Sequence, residues 1–263
     1  MFRYLMVVPH VRRSVAAAFV MLSAALPLAA QAAGDHVALG DKDYAALNAT
    51  GALRHYEEAL KAEPNAYDAL IKATRAAVDL GEYHPDAKAR ERLYTVAEQY
   101  ARRAVAANAG DAEGHFELAR ALGRKALSVS ARERVKYATD VRAKALDALR
   151  LNPAHSGAMH VMGMWNYNVM RLNGVTRFLA RRLLGGKVFE AASWDEAQRY
   201  MEESAAHDPG RIVHRLDLAR VYAARGNTAR ARAQYELVIR GPATEFNDRR
   251  YQAEATDELK GLN

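Results

Sequence analysis

One pattern of small and packing residues occurs five times along the chain, and no other feature constrains the fold as strongly. In each copy the second residue lies four positions after the first, and the third lies three positions further on, so that all three share one face of a helix. The copies, called the stripes below, are Ala52, Tyr56 and Ala59; Ala97, Ala101 and Ala104; Val141, Ala145 and Ala148; Ala197, Met201 and Ser204; and Ala231, Tyr235 and Val238. Prolines that end the helix follow three of them, at Pro64, Pro153 and Pro209. Small residues let a neighbouring helix approach closely, so the pattern predicts a stacked helical array.

The residues upstream of the stripes complete a helix pair. The third, fourth and fifth stripes are preceded by Leu118-Ala119, Met162-Gly163 and Leu218-Ala219, each a large residue followed by a small one. This order resembles the tetratricopeptide repeat, in which helix A carries the large–small pair and helix B carries the stripe. The resemblance implies an all-α fold, an α-solenoid of about five degenerate tetratricopeptide-type helix pairs with a C-terminal capping helix at about 246–261. The last two stripes are 34 residues apart, which is the period of that family, and the earlier intervals are longer.

Capping residues set the expected helix bounds. Asp86, Ser130 and Ser193 each precede a helical pattern, and their side chains suit N-caps because they accept hydrogen bonds from free amide groups. Ser193 is followed three residues later by Glu196, which has the form of a capping box. We expect A helices at about 34–48, 66–81, 111–126, from His155 onward and 211–224. We expect B helices at about 50–62, 87–107, from Ser130 to Asn152, from Ser193 onward and 228–240.

Residues 1–32 have the composition of a secretory signal peptide. Three arginines form a basic leader, an apolar stretch runs from Ser14 to Ala30, and Ala30-Gln31-Ala32 is a small–x–small cleavage site. We therefore expect an exported protein, in the bacterial periplasm, with a tetratricopeptide-repeat domain over residues 33–263. The alternative is a retained membrane anchor, which Pro27 within a 17-residue alanine-rich run makes less favourable.

Composition argues against several classes of function. The net charge of +7 falls to +4 once the three leader arginines are subtracted, so the mature chain gives no argument for nucleic acid binding. The chain has no cysteine, which excludes disulfides and thiol catalysis. None of the nine histidines has metal-ligand spacing together with a third ligand, and no glycine-rich phosphate loop follows a strand. We expect no catalytic residue, no metal and no cofactor, and a protein that is not an enzyme.

A basic insertion at about 171–192 separates the two helices of the fourth pair. Drawn as a helix, it places Arg177, Arg181 and Arg182 mostly opposite its apolar residues. A basic amphipathic helix of this kind can contact an anionic membrane surface or dock into a partner groove. The alternative is that the apolar face packs on the repeats while the arginines are solvated.

The insertion and its surroundings resemble a particular family. From Met159 to Leu259 the chain is similar to the C-terminal half of the regulator of microtubule dynamics family, and it resembles bacterial relatives of that family. The matching residues are Gly163, Trp165, Tyr167 and Val169; Trp194, Asp195, Glu196 and Ala197; and Leu218, Tyr222, Gly226, Asn227 and Ala231. Upstream, Gly40, Ala52 and Tyr56 fit the same order. The resemblance implies the fold, and we do not carry the microtubule link over to an exported chain.

The concave groove is where a function is expected. In tetratricopeptide arrays the A helices line the groove, and one groove-facing position here holds Arg75, Arg120, Met164 and Arg220. We predict that the three arginines form a ladder that binds acidic groups of a protein or peptide segment. Neighbouring groove positions hold Phe116, Arg124, His160, Tyr167 and Asn168. The alternative is that each arginine pairs with an acid of the chain itself, such as Asp79, Glu117 or Asp217.

Two functions remain open at this point. The first is a non-enzymatic periplasmic scaffold that binds a protein segment in its concave groove. The alternative is a small-ligand or lipid-binding accessory protein at the membrane surface. An open, arginine-lined channel favours the scaffold, and a deep apolar cavity favours the small ligand.

Overall fold

The computed structural model describes residues 30–183 and 187–262, and most of this part of the chain is helical. The helices are α1 (30–45), α2 (Ala49–Ala62), α3 (Tyr67–Glu82), α4 (Ala87–Ala107), α5 (Ala112–Lys125), α6 (Ala131–Leu151), α7 (Ser156–Arg171), α8 (Gly174–Leu183), α9 (Trp194–His207), α10 (Ile212–Ala224), α11 (Thr228–Arg240) and α12 (Asp248–Lys260). Short 3-10 helices at Ala126–Ser128 and Lys187–Ala191 follow α5 and α8. No strand occurs within the described ranges, which agrees with the all-α prediction.

The helices pack as the sequence predicts, in five pairs. The pairs are α1 with α2, α3 with α4, α5 with α6, α7 with α9 and α10 with α11, and α12 covers the last pair. Each A helix also contacts the next one, α3 with α5, α5 with α7 and α7 with α10, as stacking requires. The α-solenoid with its C-terminal capping helix is confirmed. Of the expected leader, residues 1–29 lie outside the described part.

The stripes lie between the paired helices. No stripe residue is more than 6% exposed, and Ala59, Ala101 and Ala148 are completely buried. Glycines of the A helices allow the close approach: a Cβ on Gly163 would come within 2.4 Å of the Met201 Sδ atom. The apolar core accordingly forms several clusters along the array, such as one between α1 and α4 and another between α9 and α12, instead of one closed core.

The predicted caps define the helix starts. The Asp86 carboxylate accepts from the backbone N–H of Lys88 at 2.9 Å, and Ser130 forms a reciprocal capping box with Glu133 at the start of α6. At α9, Ser193 accepts from the amide of Glu196 at 3.0 Å, whereas the Glu196 carboxylate binds Arg199 at 2.7 Å. The box predicted there is therefore formed on the Ser193 side only, because a nearby guanidinium takes the carboxylate.

The insertion between α7 and α9 divides into two parts. Its 3-10 helix packs on the repeats, because Phe189 is 5% exposed and its ring meets Trp165 edge-on at 6.1 Å. Helix α8 packs against that 3-10 helix and leaves Phe178 55% exposed, with the Arg182 guanidinium over its ring. Arg177 lies 3.4 Å from the Met170 sulfur, and the side chain of Arg181 lies outside the described residues.

The stripes give a direct stability prediction. We expect Ala59→Leu and Ala148→Leu each to lower the free energy of unfolding by about 1–3 kcal/mol, because a larger side chain overpacks a filled helix contact. Glu58→Ala is the matched control, since the Glu58 side chain is 40% exposed and pairs only at the surface with Lys61. Urea unfolding curves check this. Unchanged midpoints for both leucine variants would show that the stripes do not mark the helix contacts.

Candidate binding cavity

A cavity of about 670 Å³, partly open to solvent, is lined by α3, α5, α6, α7, α10 and the segment that leads into α12. One wall is apolar and includes Phe116, Val135, Val141, Trp165, Val169 and Phe189. Another wall carries charged groups, among them Asp79, Arg120, Arg124, His160, Asp217 and Arg220. A volume of this size lies within the range of ligand-binding pockets, about 300–1,000 Å³. The cavity is therefore the candidate site.

Trp165 holds the apolar wall in place. It comes from α7, is 5% exposed, and its Nε1–H donates to the backbone carbonyl of Ala138 on α6 at 2.8 Å. The Arg142 guanidinium lies 5.5 Å from the ring centroid, and Phe189 packs on another edge. One side chain thus joins α6, α7 and the insertion at the wall of the cavity.

Arg120 is held by acids of the chain itself. Its guanidinium binds the Asp79 carboxylate on α3, and its Nη1 lies 3.5 Å from the Glu117 carboxylate on α5. Tyr44 donates to the same Asp79 carboxylate at 2.5 Å. Glu117 is only 1% exposed, and burial raises the pKa of its carboxyl group above the ordinary value. Arg120 therefore neutralises acidic groups that would be costly to bury alone.

Arg220 repeats this arrangement in the fifth pair. Asp217 precedes it by three residues, as Glu117 precedes Arg120, and the Arg220 guanidinium binds the Asp217 carboxylate at 2.8 Å. Helix α12 supplies two more carboxylates, Glu254 at 2.6 Å and Glu258 at 2.5 Å. The structure thus shows the intramolecular alternative for Arg120 and Arg220, and the capping helix provides part of it.

The predicted site residues are only partly brought together. Those that line the cavity are Phe116, Arg120, Arg124, His160, Asn168 and Arg220. Arg75 does not line it, and its guanidinium lies 5.4 Å from the ring centroid of Tyr44. Tyr167 borders a second cavity of about 410 Å³, which also touches Asn168 and Arg220. A continuous ladder of three arginines along a single cavity is therefore absent from the described residues.

Two parts of the cavity lining are absent from the site that the sequence predicts. Trp165 belongs to the motif that carries the family resemblance, and Phe246, Asn247 and Tyr251 lie in the expected capping helix. A signal for the second part exists in the sequence. Tyr251, Glu254 and Glu258 are three and four positions apart and share one face of a helix, which is unusually polar for a face that packs on a core.

A histidine pair lies in the charged wall. The rings of His160 and His214 stack with centroids 4.7 Å apart, and the His160 Nε2 lies 2.8 Å from the Asp217 carboxylate. His214 is 1% exposed, so burial, with the neighbouring His160 and Arg211, lowers its pKa well below 6.5. Burial alone would raise the pKa of Asp217, but the hydrogen bond and charge of His160, with Arg220, lower it to about 2.

These pKa shifts predict a loss of stability in acid. Because His214 stays neutral when folded and is protonated below about pH 6.5 when unfolded, the unfolded state gains protons as the pH falls. Between pH 7 and 5 this residue should therefore lower the free energy of unfolding. Asp217 adds a further loss from about pH 3.8 down to about 2, as its stabilising charge is neutralised.

The measurement is urea unfolding at pH 7 and pH 5, with His214→Phe as the comparison, since phenylalanine keeps an aromatic ring against His160 and cannot titrate. The variant should lose less stability over this interval than the parent. Equal losses in the two proteins would contradict the buried, neutral state of His214.

The described residues contain neither a metal-binding cluster nor a helix that could cross a membrane. In residues 30–183 and 187–262, no group of three or more His, Asp or Glu side chains is arranged to hold a metal ion. Over the same ranges, no helix is both long enough and apolar enough to cross a membrane.

Five stacked helix pairs with small residues at their contacts define a tetratricopeptide-type helical-repeat protein. The model of the family described as "Regulator of microtubule dynamics protein 1-3" matches residues 35–263, and the chain belongs to this family. No curated protein matches the chain at a significant level.

One solved structure supports the fold, and a second is more distantly similar. The crystal structure of TTC0263, a thermophilic tetratricopeptide protein of Thermus thermophilus, is similar with a TM-score of 0.62 and 23% identity, covering 86% of this chain and 99% of that chain. A solved structure of PilF from Pseudomonas aeruginosa has a TM-score of 0.48 and 17% identity, covering 88% of this chain and 92% of that chain. The likeness to TTC0263 supports the fold and nothing further.

Proposed function

We propose that this protein is an exported, non-enzymatic scaffold that holds a segment of a partner protein in its concave cavity. The observation that carries the proposal is the cavity of about 670 Å³, which has an apolar wall around Trp165 and a charged wall around Arg120 and Arg220. A partner segment with apolar side chains gains free energy by covering the first wall and is oriented by the second. Stacked helix pairs present such a surface on rigid elements.

Some arginines of the groove already form ion pairs with acids of the chain, which limits where an acidic group of a partner can bind. Arg120 and Arg220 are neutralised by acids of the chain, so an incoming carboxylate gains little there. Within the described ranges, neither Arg75 nor Arg134 has a carboxylate at ion-pair distance. Arg134 lines the cavity, is exposed, and donates only to the backbone carbonyls of Ala126 and Val129. An acidic group of the partner would therefore meet Arg134, beside the 65% exposed Leu127.

Gly123 offers a clean test of the cavity. It lines the cavity from α5, and a Cβ built on it meets only the Val141 side chain, at 4.0 Å. Gly123→Phe should fill the cavity without displacing the backbone, while Gly123→Ala keeps it open and serves as the matched control. Both replace a helical glycine, so both should keep or slightly raise helix stability.

The experiment captures partners of the mature protein from a bacterial envelope extract, identifies them by mass spectrometry and then measures the affinity of the purified partner by calorimetry. The proposal expects Gly123→Phe to lose binding by tenfold or more, roughly 1.4 kcal/mol, and Gly123→Ala to bind like the parent. Arg134→Gln should weaken the binding of an acidic partner, and exposed Arg132→Gln is its control. A partner whose affinity is unaffected by Gly123→Phe binds elsewhere and sinks the proposal.

Export is tested separately. The leader over residues 1–32 motivates it, with a mature chain that starts at Ala33. Cell fractionation and N-terminal sequencing should find the shortened chain in the periplasm. An uncleaved chain in the membrane fraction would instead support the retained anchor.

A second candidate function is supported by the partial closure of the cavity. Helix α12 and the segment before it cover one side of it, through residues such as Phe246 and Tyr251, and an enclosed apolar pocket suits a small amphipathic ligand. Native mass spectrometry of the purified protein separates the two proposals. A bound small molecule that is lost in Gly123→Phe supports the ligand, and a ligand-free protein that binds a protein partner supports the scaffold.

A further inference from the structure

The second helix pair and the capping helix meet across the cavity. The last turn of α3 and the residue after it contact α12 and the residue before it, although about 170 residues separate them, with hydrogen bonds at separations of 168, 169 and 171. We call this contact the seam. Its members are Asp79, Glu82 and Tyr83 on one side and Asn247, Arg250, Tyr251 and Glu254 on the other.

Side-chain hydrogen bonds make up most of the seam. The Tyr83 hydroxyl donates to the Glu254 carboxylate at 2.7 Å, and the Tyr251 hydroxyl donates to the Glu82 carboxylate at 2.9 Å. The Asn247 amide donates to the backbone carbonyl of Asp79 at 3.1 Å. The two tyrosine rings add a contact at 6.0 Å, with the exposed Arg250 guanidinium 5.1 Å from the centroid of the Tyr83 ring.

The seam has less close packing than the paired helices. The two helices of a pair bury small and aliphatic residues at a close approach, whereas α3 and α12 make no comparably close backbone approach. Asp79, Asn247 and Tyr251 are buried, and Tyr83 and Glu254 are partly exposed. Because water replaces the hydrogen bonds of the seam when it opens, the seam separates at a lower cost than the tightly packed helix pairs.

The seam also borders the cavity. Asp79, Glu82, Asn247 and Tyr251 belong both to the seam and to the cavity lining. Separation of the two sides would remove one wall and leave the apolar wall around Trp165 accessible. We infer that the seam is a gate, which opens by parting of the Tyr83–Glu254 and Tyr251–Glu82 hydrogen bonds and admits large occupants to the cavity.

The absence of cysteine from the chain allows a direct test, because a single introduced thiol reports on one place. Gly123→Cys puts that thiol on the cavity wall at a half-buried position, where we expect a bulky pyrene maleimide to react more slowly than at the surface while the seam is closed. The labelling rate under native conditions then measures opening. Arg132→Cys, on the exposed surface of α6, gives the rate of an unprotected thiol.

The seam is weakened by Tyr83→Phe with Tyr251→Phe, which removes two hydroxyl groups and keeps both rings. We expect this pair to speed labelling of the cavity thiol by about tenfold, because each lost hydrogen bond had a carboxylate acceptor. Tyr235→Phe is the matched control: its hydroxyl donates to Glu258 at 2.8 Å between α11 and α12 and does not cross the seam. It should leave the labelling rate unchanged.

Three outcomes overturn the gate. In the first, the cavity thiol of the parent protein reacts as fast as the exposed thiol. In the second, the two seam substitutions do not speed its labelling. In the third, Tyr235→Phe speeds labelling equally, which would indicate a general loosening of the fold. Spin labels at Lys88 and Arg249, on the two sides of the seam, give a second readout, and the two seam substitutions should add a longer distance between them. Neither readout uses a partner, so the gate is tested independently of the proposed function.

Discussion

Arg120→Ala should lower the free energy of unfolding by about 3–5 kcal/mol, because removal of one member of a buried ion pair leaves uncompensated charge behind. The groups left behind are Asp79, 6% exposed, and Glu117, 1% exposed. The sequence alone leaves open whether Arg120 meets a partner or pairs with acids of the chain itself. The structure shows the pairing, in which Arg120 joins α5 to α3 through Asp79 and also lies beside Glu117 on its own helix.

The measurement is urea unfolding of the variant beside Arg132→Ala, an exposed arginine on α6 whose loss should change stability by no more than about 0.5 kcal/mol. A further check is to neutralise the two acids that the variant leaves unpaired. Adding Asp79→Asn and Glu117→Gln to Arg120→Ala should recover part of the lost stability. If Arg120→Ala unfolds like the parent, the arginine is solvated and the ion-pair account of the groove is wrong.

Trp165→Ala should lower the free energy of unfolding by a similar amount, about 3–5 kcal/mol, because it removes a large buried ring and leaves a cavity that the neighbouring residues cannot fill. The loss includes the contacts with Phe189 and Arg142 and the hydrogen bond to the Ala138 carbonyl. Since this ring joins α7 to the 3-10 helix of the insertion, limited proteolysis should also cut the insertion faster in the variant.

Phe178→Ala is the control for an aromatic residue that packs poorly. Its ring is 55% exposed on α8, so its removal should change stability by about 0.5 kcal/mol or less. Comparable losses in the two variants would mean that the insertion does not dock through Phe189 and Trp165, as the structure has it.

Local signals explain why the helix pairs were predictable. Helical spacing alone identifies the stripe around Ala145, and the pair Ser130 and Glu133 identifies the start of α6. Both features therefore depend on residues a few positions apart. The bounds of α4 and α11 therefore agree with the sequence expectation at both ends. Intramolecular pairing of Arg220 with Asp217 was also within reach, because the two are three residues apart on one helix.

The closure of the array was not predictable in the same way. Whether Tyr83 meets Glu254 depends on the rotation that accumulates over every repeat between them, and the lengthened α4 and α6 and the insertion each alter it. A position that faces the groove in one repeat is therefore free, paired or covered depending on distant helices. Arg75, which rests on Tyr44 outside the cavity, illustrates the same limit.

The most direct test of the binding cavity uses its own tryptophan. The chain has two tryptophans, so Trp194→Phe leaves Trp165 as the only one, on the cavity wall. Energy transfer from Trp165 to anilinonaphthalenesulfonate, an apolar and anionic dye, is measured in this background and again with Gly123→Ala or Gly123→Phe added. The account predicts saturable transfer in the first two proteins and its loss in the third. Equal transfer in all three, or none in the first, would contradict a binding site in the concave cavity.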